Sequence, residues 1–149
     1  MESKFKNFKF RPNVIKGLKY LCKNKYLIFI VTNQAGIAKG KFKVSDLRVL
    51  HKKLLNYLRE KKIIITDIEY CPYHPKGIIK KYKKKSNYRK PGNMMIKKIT
   101  KKWNIDIKKS FMLGDSNKDR LAARKSKLYF EYVRNDFYLQ VKKISKKII

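Results

Sequence analysis

Acidic residues are scarce in this chain. Asp+Glu 10 stand against Lys+Arg 41, a formal charge of +31, and no aspartate occurs before Asp46. Cysteine is nearly absent too: Cys22 and Cys71 cannot build a disulfide framework, so a reducing cytoplasm is the expected compartment. Gly 6 and Pro 4 exclude collagen-like and low-complexity classes. No apolar run reaches the ~18 residues of a membrane-crossing helix, and the start has no apolar signal core, so neither a membrane nor secretion is expected. What is present is one domain's worth of chain, 149 residues of which 43% are hydrophobic, enough for a packed core.

A charge of this size favours polyanions. The make-up of the charge points elsewhere. Lysine outnumbers arginine 34 to 7, beside 17 Ile, 10 Asn, 10 Tyr and only 4 Ala. Those abundant residues have AT-rich codons, so drift of a genome toward AT explains the skew without a ligand. Nucleic-acid readers lean on the bidentate guanidinium, and arginine is the scarce cation here. Specific nucleic-acid binding is therefore not expected.

The pattern alternates. A helix is predicted over 12–24, opened by Pro12, with Val14, Leu18, Leu21 and Cys22 on one face. Residues 26–32 are a continuous apolar run, as in a strand buried on both faces. Ser45 is the expected cap of a helix over 46–61 striped by Leu47, Leu50, Leu54 and Leu58, with His51 packed on that stripe. Strand character returns over 63–70, followed by a basic loop over 72–90 whose lysine run, 80–85, reads as a solvated surface. Pro91 is expected to open a helix running to Trp103, which would cap a core. A strand over 110–114, a helix over 117–126, a strand over 127–133 and a closing helix with Val141, Ile144 and Ile148 complete the chain. Strands alternating with helices predict an α/β fold, a Rossmann-like parallel sheet covered by helices, in a single domain over 1–149.

In such sheets ligands sit beyond the carboxyl ends of the strands. Three places qualify. Thr32-Asn33-Gln34-Ala35-Gly36 follows the apolar strand and offers a hydroxyl and backbone N–H groups to a phosphate, or is an ordinary strand-to-loop turn. Arg89-Lys90-Pro91 offers a guanidinium and an ammonium to an anion, or is part of a solvated loop. Asp115 and Asp119 follow the strand over 110–114 one helical turn apart and are able to hold Mg²⁺ with water and phosphate oxygens; alternatively Asp115 caps a helix and Asp119 is a surface charge.

Four segments together, VTNQAGIAKG (31–40), YCPYHP (70–75), YRKPGNMM (88–95) and MLGDSNKD (112–119), resemble the haloacid dehalogenase-like phosphatases, on the branch of D,D-heptose 1,7-bisphosphate and histidinol phosphatases. The resemblance runs from Phe8 to Arg134 and implies a Mg²⁺-dependent phosphomonoester hydrolase of the cytoplasm, a monomer acting on a small sugar phosphate of lipopolysaccharide-precursor metabolism. It implies that Thr32 hydrogen-bonds the phosphoryl group, that Asn33, Gln34, Ala35 and Arg89 contact substrate, and that Lys90 neutralises phosphoryl oxygens. It also implies that Asp115 is a Mg²⁺ ligand and that Asp119 orients the metal's water shell. These are roles of positioning and charge stabilisation, which dominate phosphoryl transfer.

Two departures from the family matter. The family's first strand ends in Asp-x-Asp-Gly, nucleophile and acid/base, and this sequence has no such segment. That strand is central, between the strands ending at Thr32 and Asp115, so the sheet is expected to lack it. A late start, a separately encoded strand and a decayed gene are the three accounts, and the chain by itself is expected to be inactive. Zinc-bearing relatives place Cys and His ligands where this chain has Cys71, Tyr73, Ser86 and Tyr88; with Cys71 the sole remnant, zinc is not expected and Cys71 reads as a small buried hydrophobe. Two other functions compete: a polynucleotide 3′-phosphatase, whose domains share TNQ-x-GI-like and Tyr-Arg-Lys-Pro-like segments, and a non-catalytic basic polyanion binder.

Overall fold

A computed structural model describes residues 10–148. The order is α1 (Val14–Lys23), β1 (Phe29–Asn33), α2 (Ala35–Ala38), α3 (Val44–Glu60), β2 (Asp67–Cys71), α4 (Met94–Lys102), β3 (Phe111–Gly114), α5 (Asn117–Lys125), β4 (Tyr129–Tyr132) and α6 (Phe137–Ile148), with short 3-10 turns at Lys80–Tyr82 and Ile107–Lys109. Helices and strands alternate as the periodicity predicts. No helix among the described residues is long and apolar enough to cross a membrane.

The chain divides into two compact units. The first comprises the residues up to Ile30, Lys43–Ile68 and Arg134–Lys147. Its core forms where the apolar stripe of α3 meets the segment leading into β2: Leu58, Ile63 and Ile65 are buried and packed by Ile15, Leu18, Leu54 and Ile68. Each such buried aliphatic side chain contributes about 1.5–3 kcal/mol. α6 buries Val141 and Ile144, and its Ser145 hydroxyl lies 3.0 Å from the Tyr20 hydroxyl of α1. His51 is half-buried in α3, and burial pushes its ring below the ordinary histidine range, as packing on the stripe implies.

The second unit comprises Val31–Phe42 and Glu69–Val133. β3 and β4 pair in parallel, Phe111 opposite Tyr129 and Gly114 opposite Tyr132. α5 buries Ala122 and Ala123 completely, and α4 buries Met95, Ile96 and Ile99.

The strands do not make one sheet. Among the described residues they form two two-stranded sheets, β1 with β2 and β3 with β4. No residue of β1 or β3 is fully buried, so the expectation of a first strand covered on both faces is corrected. A strand laddered on one side keeps its other row of N–H and C=O groups unpaired, and its side chains stay part-exposed.

Several boundaries also differ from the sequence reading. β1 begins at Phe29 rather than at residue 26, because the Tyr26 N–H closes the end of α1 on the Leu21 carbonyl (2.9 Å). β2 starts late, at Asp67, although Thr66 already donates to the Ile28 carbonyl (2.7 Å). Ser45 is not the cap of α3: Lys43 is the extended residue before the helix, and Asp46 accepts its N–H at 2.9 Å. Pro91 does not open α4. It lies in a turn closed by Gly92 N–H to the Arg89 carbonyl (2.8 Å), and the helix begins at Met94. Trp103 follows the last residue of α4 and is 37% exposed. The loop over 72–90 carries its own bridge between His74 and Lys83.

Candidate active site

The end of β1, the turn before α4 and the start of α5 all belong to the second unit, and hydrogen bonds tie them together. Asn33 clamps Lys90 from both sides: its Nδ2 donates to the Lys90 carbonyl and its Oδ1 accepts the Lys90 N–H, each at 3.0 Å. The Lys90 side chain then runs back to β1. Its ammonium donates to the Val31 carbonyl at 3.0 Å and to Asp119 Oδ1 at 2.5 Å. An ammonium has three donors, and two of them are used among the described residues. Thr32 accepts a bond from Gln34 Nε2 (3.1 Å), which orients its hydroxyl. Ala35 opens α2, a single helical turn where the sequence pattern alone predicts no helix. The N–H of Gln34 donates to the Cys71 carbonyl (2.8 Å), joining this segment to the end of β2.

Asp119 is a buried residue, 5% exposed. Besides Lys90 it accepts the N–H of Asp115 (3.1 Å), the N–H of Ser116 (3.2 Å) and the Ser116 hydroxyl (3.1 Å). Ser116 is the extended N-cap of α5 and its Oγ accepts the Asp119 N–H at 3.4 Å, so serine and aspartate form a reciprocal capping box. Capping therefore falls to Ser116 and Asp119 rather than to Asp115, and Asp119 is no surface charge. Burial works against its charged form. The Lys90 ammonium, the Ser116 hydroxyl and the Asp115 N–H outweigh burial and hold the carboxyl below the usual carboxylate range. A Cβ on Gly114 would lie 2.5 Å from Asp119 Cβ, so only glycine lets the strand end approach this box.

Asp115 is exposed at the end of β3. No group of three or more His, Cys, Asp or Glu able to hold a metal exists among the described residues. The donor set still fits a hard cation of the Mg²⁺ kind, which needs only one or two carboxylates beside water and phosphate oxygens. Asp115 is the residue that would ligate it. Asp119 has its oxygens committed and would act from behind.

Arg89 stands apart from this network. Its Nη1 is the buried side-chain nitrogen without a hydrogen-bond partner among the described residues. Cys71 is fully buried, and burial first of all raises its thiol pKa. The other positions matching zinc ligands have protein partners. The rings of Tyr73 and Tyr82 lie 6.3 Å apart, Lys84 Nζ sits 4.1 Å from the Tyr73 centroid, and Ser86 Oγ accepts the Tyr88 N–H (3.0 Å).

Sequence reasoning missed a second, part-buried contact. The Tyr88 hydroxyl donates to Glu69 of β2, and Lys98 of α4 pairs with the same carboxylate at 3.0 Å. Burial, followed by the Glu69 charge, pushes Tyr88 up to about 12. This anchor fixes the chain next to Arg89 and Lys90. The signal for it was slight: Glu69 is one of ten acids, in a strand of mixed polarity.

The model of the family described as "Polynucleotide kinase 3 phosphatase" matches residues 1–144. The chain belongs to that family. The chain is 39% identical over 123 residues to a D-glycero-alpha-D-manno-heptose-1,7-bisphosphate 7-phosphatase of Photorhabdus laumondii, covering 83% of this chain and 67% of the relative. A D-glycero-beta-D-manno-heptose-1,7-bisphosphate 7-phosphatase of Rhodopseudomonas palustris is 37% identical over 113 residues, covering 76% and 63%, and one of Escherichia coli is 33% identical over 117 residues, covering 78% and 61%. The chain thus spans about two thirds or less of the length of these curated relatives. Among solved structures, a haloacid dehalogenase-like phosphatase of Mesorhizobium loti superposes with a TM-score of 0.83 at 22% identity, covering 93% of this chain and 75% of that one. The D,D-heptose 1,7-bisphosphate phosphatase of B. bronchiseptica, complexed with magnesium and phosphate, gives 0.76 at 20% identity, covering 91% and 83%. The family's fold is therefore the haloacid dehalogenase-like α/β fold, as the four segments implied.

Proposed function

We propose that this chain carries the phosphoryl-binding side of a Mg²⁺-dependent sugar-phosphate phosphatase of the cytoplasm, with a heptose 1,7-bisphosphate as substrate and hydrolysis at the 7-phosphate. The observation that supports it most is the Lys90 ammonium, held by Val31 and Asp119 at the end of β1. A phosphoryl group at that ammonium would also meet the Thr32 hydroxyl and the backbone N–H groups that open α2. Bound at Asp115, Mg²⁺ would supply charge neutralisation to the phosphoryl oxygens.

In this reading each residue has a task. Lys90 neutralises developing negative charge, Thr32 orients the phosphoryl oxygens, and Asn33 and Asp119 fix Lys90 rather than line the substrate. The nucleophilic and acid/base aspartates of the family are not among these 149 residues, so the residues present bind and polarise but do not attack phosphorus. The chain without such a segment is inactive; supplied with a strand ending in Asp-x-Asp-Gly, it hydrolyses the sugar phosphate.

A second reading rests on the matched family description and the +31 charge, which suit the 3′-phosphate of a nucleic-acid end. Substrate choice separates the two. Phosphate release from a heptose 1,7-bisphosphate and from a 3′-phosphorylated oligonucleotide is compared for the strand-extended chain at physiological salt. The sugar bisphosphate should be preferred, and preference for the oligonucleotide would overturn the reading.

A further inference from the structure

Part of the loop after β2 presents apolar side chains to solvent and holds them there. Ile78 is 75% exposed and Ile79 39%, and Ile78 has the highest exposure of the large hydrophobics among the described residues. Backbone bonds fix the pair. The Ala38 carbonyl of α2 accepts the N–H of Ile78 (2.8 Å) and of Ile79 (2.9 Å). Gly77 permits this approach: a Cβ there would lie 2.8 Å from the Ala38 Cβ and 2.9 Å from the Ala38 carbonyl oxygen. On the other side the Ile79 carbonyl accepts the N–H groups of Tyr82 and Lys83, each at 2.9 Å, around the 3-10 turn Lys80–Tyr82. A Cβ on Gly40 would lie 3.2 Å from Ile78 Cδ1 and 3.6 Å from Ile79 Cδ1, so both isoleucine tips converge over one glycine.

Lysines flank this pair. Lys39 and Lys41 follow Ala38, Lys76 precedes Gly77, and Lys80, Lys81 and Lys83 follow Ile79; all six are exposed. The segments 31–45 and 70–105 contain no aspartate or glutamate. The ion pairs among the described residues, Lys90 with Asp119 and Lys98 with Glu69, take up none of the six. Codon drift accounts for lysine scattered over a surface, but not for two isoleucines locked out of the core in its midst. An apolar tip among lysines matches the boundary of an anionic bilayer, where alkyl side chains enter the headgroup layer and ammonium groups meet lipid phosphates. Nucleic acid would leave the isoleucines without a partner. It would also meet covered rings in this loop, since Lys84, Lys81 and Lys98 lie over Tyr73, Tyr82 and Tyr88 at 4.1, 5.5 and 5.8 Å. Carboxylates of an acidic protein are matched best by arginine forks, and the residues around the isoleucines are lysines.

We propose that Ile78, Ile79 and the lysines around them form a docking surface for an anionic lipid bilayer, on which the protein lies without crossing it. Apolar burial and electrostatic attraction add in binding of this kind. Docking uses none of Thr32, Lys90, Asp115 or Asp119, so it is independent of the phosphatase reading.

Flotation of the full chain with lipid vesicles tests it at physiological salt. Vesicles of roughly one-third phosphatidylglycerol in phosphatidylcholine should bind the chain at least about tenfold more tightly than phosphatidylcholine alone. Ile78→Ser with Ile79→Ser, which leaves the charge unchanged, should weaken binding about tenfold, and Lys39→Gln with Lys80→Gln should do the same. Lys143→Gln with Lys146→Gln removes as much charge from exposed positions of α6 and should leave binding within about twofold of the parent. Ile78→Trp should strengthen binding, a gain that misfolding cannot mimic, because indole favours the bilayer interface. Serine variants that bind like the parent, α6 variants as weak as the Lys39 and Lys80 pair, or no gain with Ile78→Trp would overturn the docking surface. Displacement of the chain from vesicles by an equal charge of DNA oligonucleotide would assign the face to nucleic acid and overturn the bilayer assignment.

Discussion

Lys90 and Asp119 decide the chemistry of the site, and each depends on the other. Their side chains are only 12% and 7% exposed, so removing one strands a charge away from water. Breaking such a pair costs about 3–5 kcal/mol. Lys90→Ala should therefore lose phosphate binding and stability together, read by calorimetric titration with phosphate and by urea unfolding. Asp119→Asn should lose stability too, because it leaves the Lys90 ammonium away from water without its counter-charge. The pH dependence has a definite sign. Asp119 titrates below the usual carboxylate range in the fold, so its contribution is complete above the unfolded value of about 4 and disappears as pH falls below it. Urea midpoints measured from pH 7 to pH 3 should fall more steeply for the parent than for Asp119→Asn. Tyr88 has the opposite sense: raised to about 12, it stabilises the fold fully below the unfolded value of about 10 and loses that contribution as pH rises from 10 toward 12. Tyr88→Phe should flatten the alkaline limb of the stability profile. Lys90 and Asp119 were legible as motif residues in the sequence. That Asp119 spends its oxygens on Lys90 and a helix cap was not, because spacing says nothing of which acceptors a buried carboxylate finds.

At the scale of elements, capping separates what the sequence specifies from what it leaves open. Leu-Gly-Asp-Ser-Asn-Lys-Asp offers Asp115 and Ser116 as adjacent cap candidates, and the extended backbone of Ser116 selects the serine. Ser45 is as good a cap by type, yet the helix starts two residues earlier than that cap requires and Asp46 holds the end from within. Ser116→Ala should cost about 1 kcal/mol, whereas Ser45→Ala should stay within about 0.5 kcal/mol of the parent. Equal losses in thermal unfolding would reverse these cap assignments. Helices with strong leucine or isoleucine stripes were readable almost to their ends. Strand ends were not, because an apolar run continues past the last ladder bond, as it does before β1 and β2.

For the whole molecule, the order of the four segments was enough to give the α/β fold. Among the described residues β1 and β3 fall in separate two-stranded sheets. The division into two units and the Glu69–Tyr88–Lys98 anchor depend on contacts between distant segments that no local pattern encodes. A strand that ladders onto both pairs would satisfy unpaired backbone groups and bury β1 and β3, and a few aliphatic side chains at about 1.5–3 kcal/mol each rival the stability of a small domain. The same strand would bring the missing carboxylates to the donors of Thr32 and Lys90. The most direct measurement is Mg²⁺-dependent phosphate release from a heptose 1,7-bisphosphate by the chain as it stands, by the chain extended with a strand ending in Asp-x-Asp-Gly, and by the extended chain carrying Lys90→Ala. Release by the extended chain alone is the predicted result. Release by the unextended chain, or undiminished release with Lys90→Ala, would contradict the account.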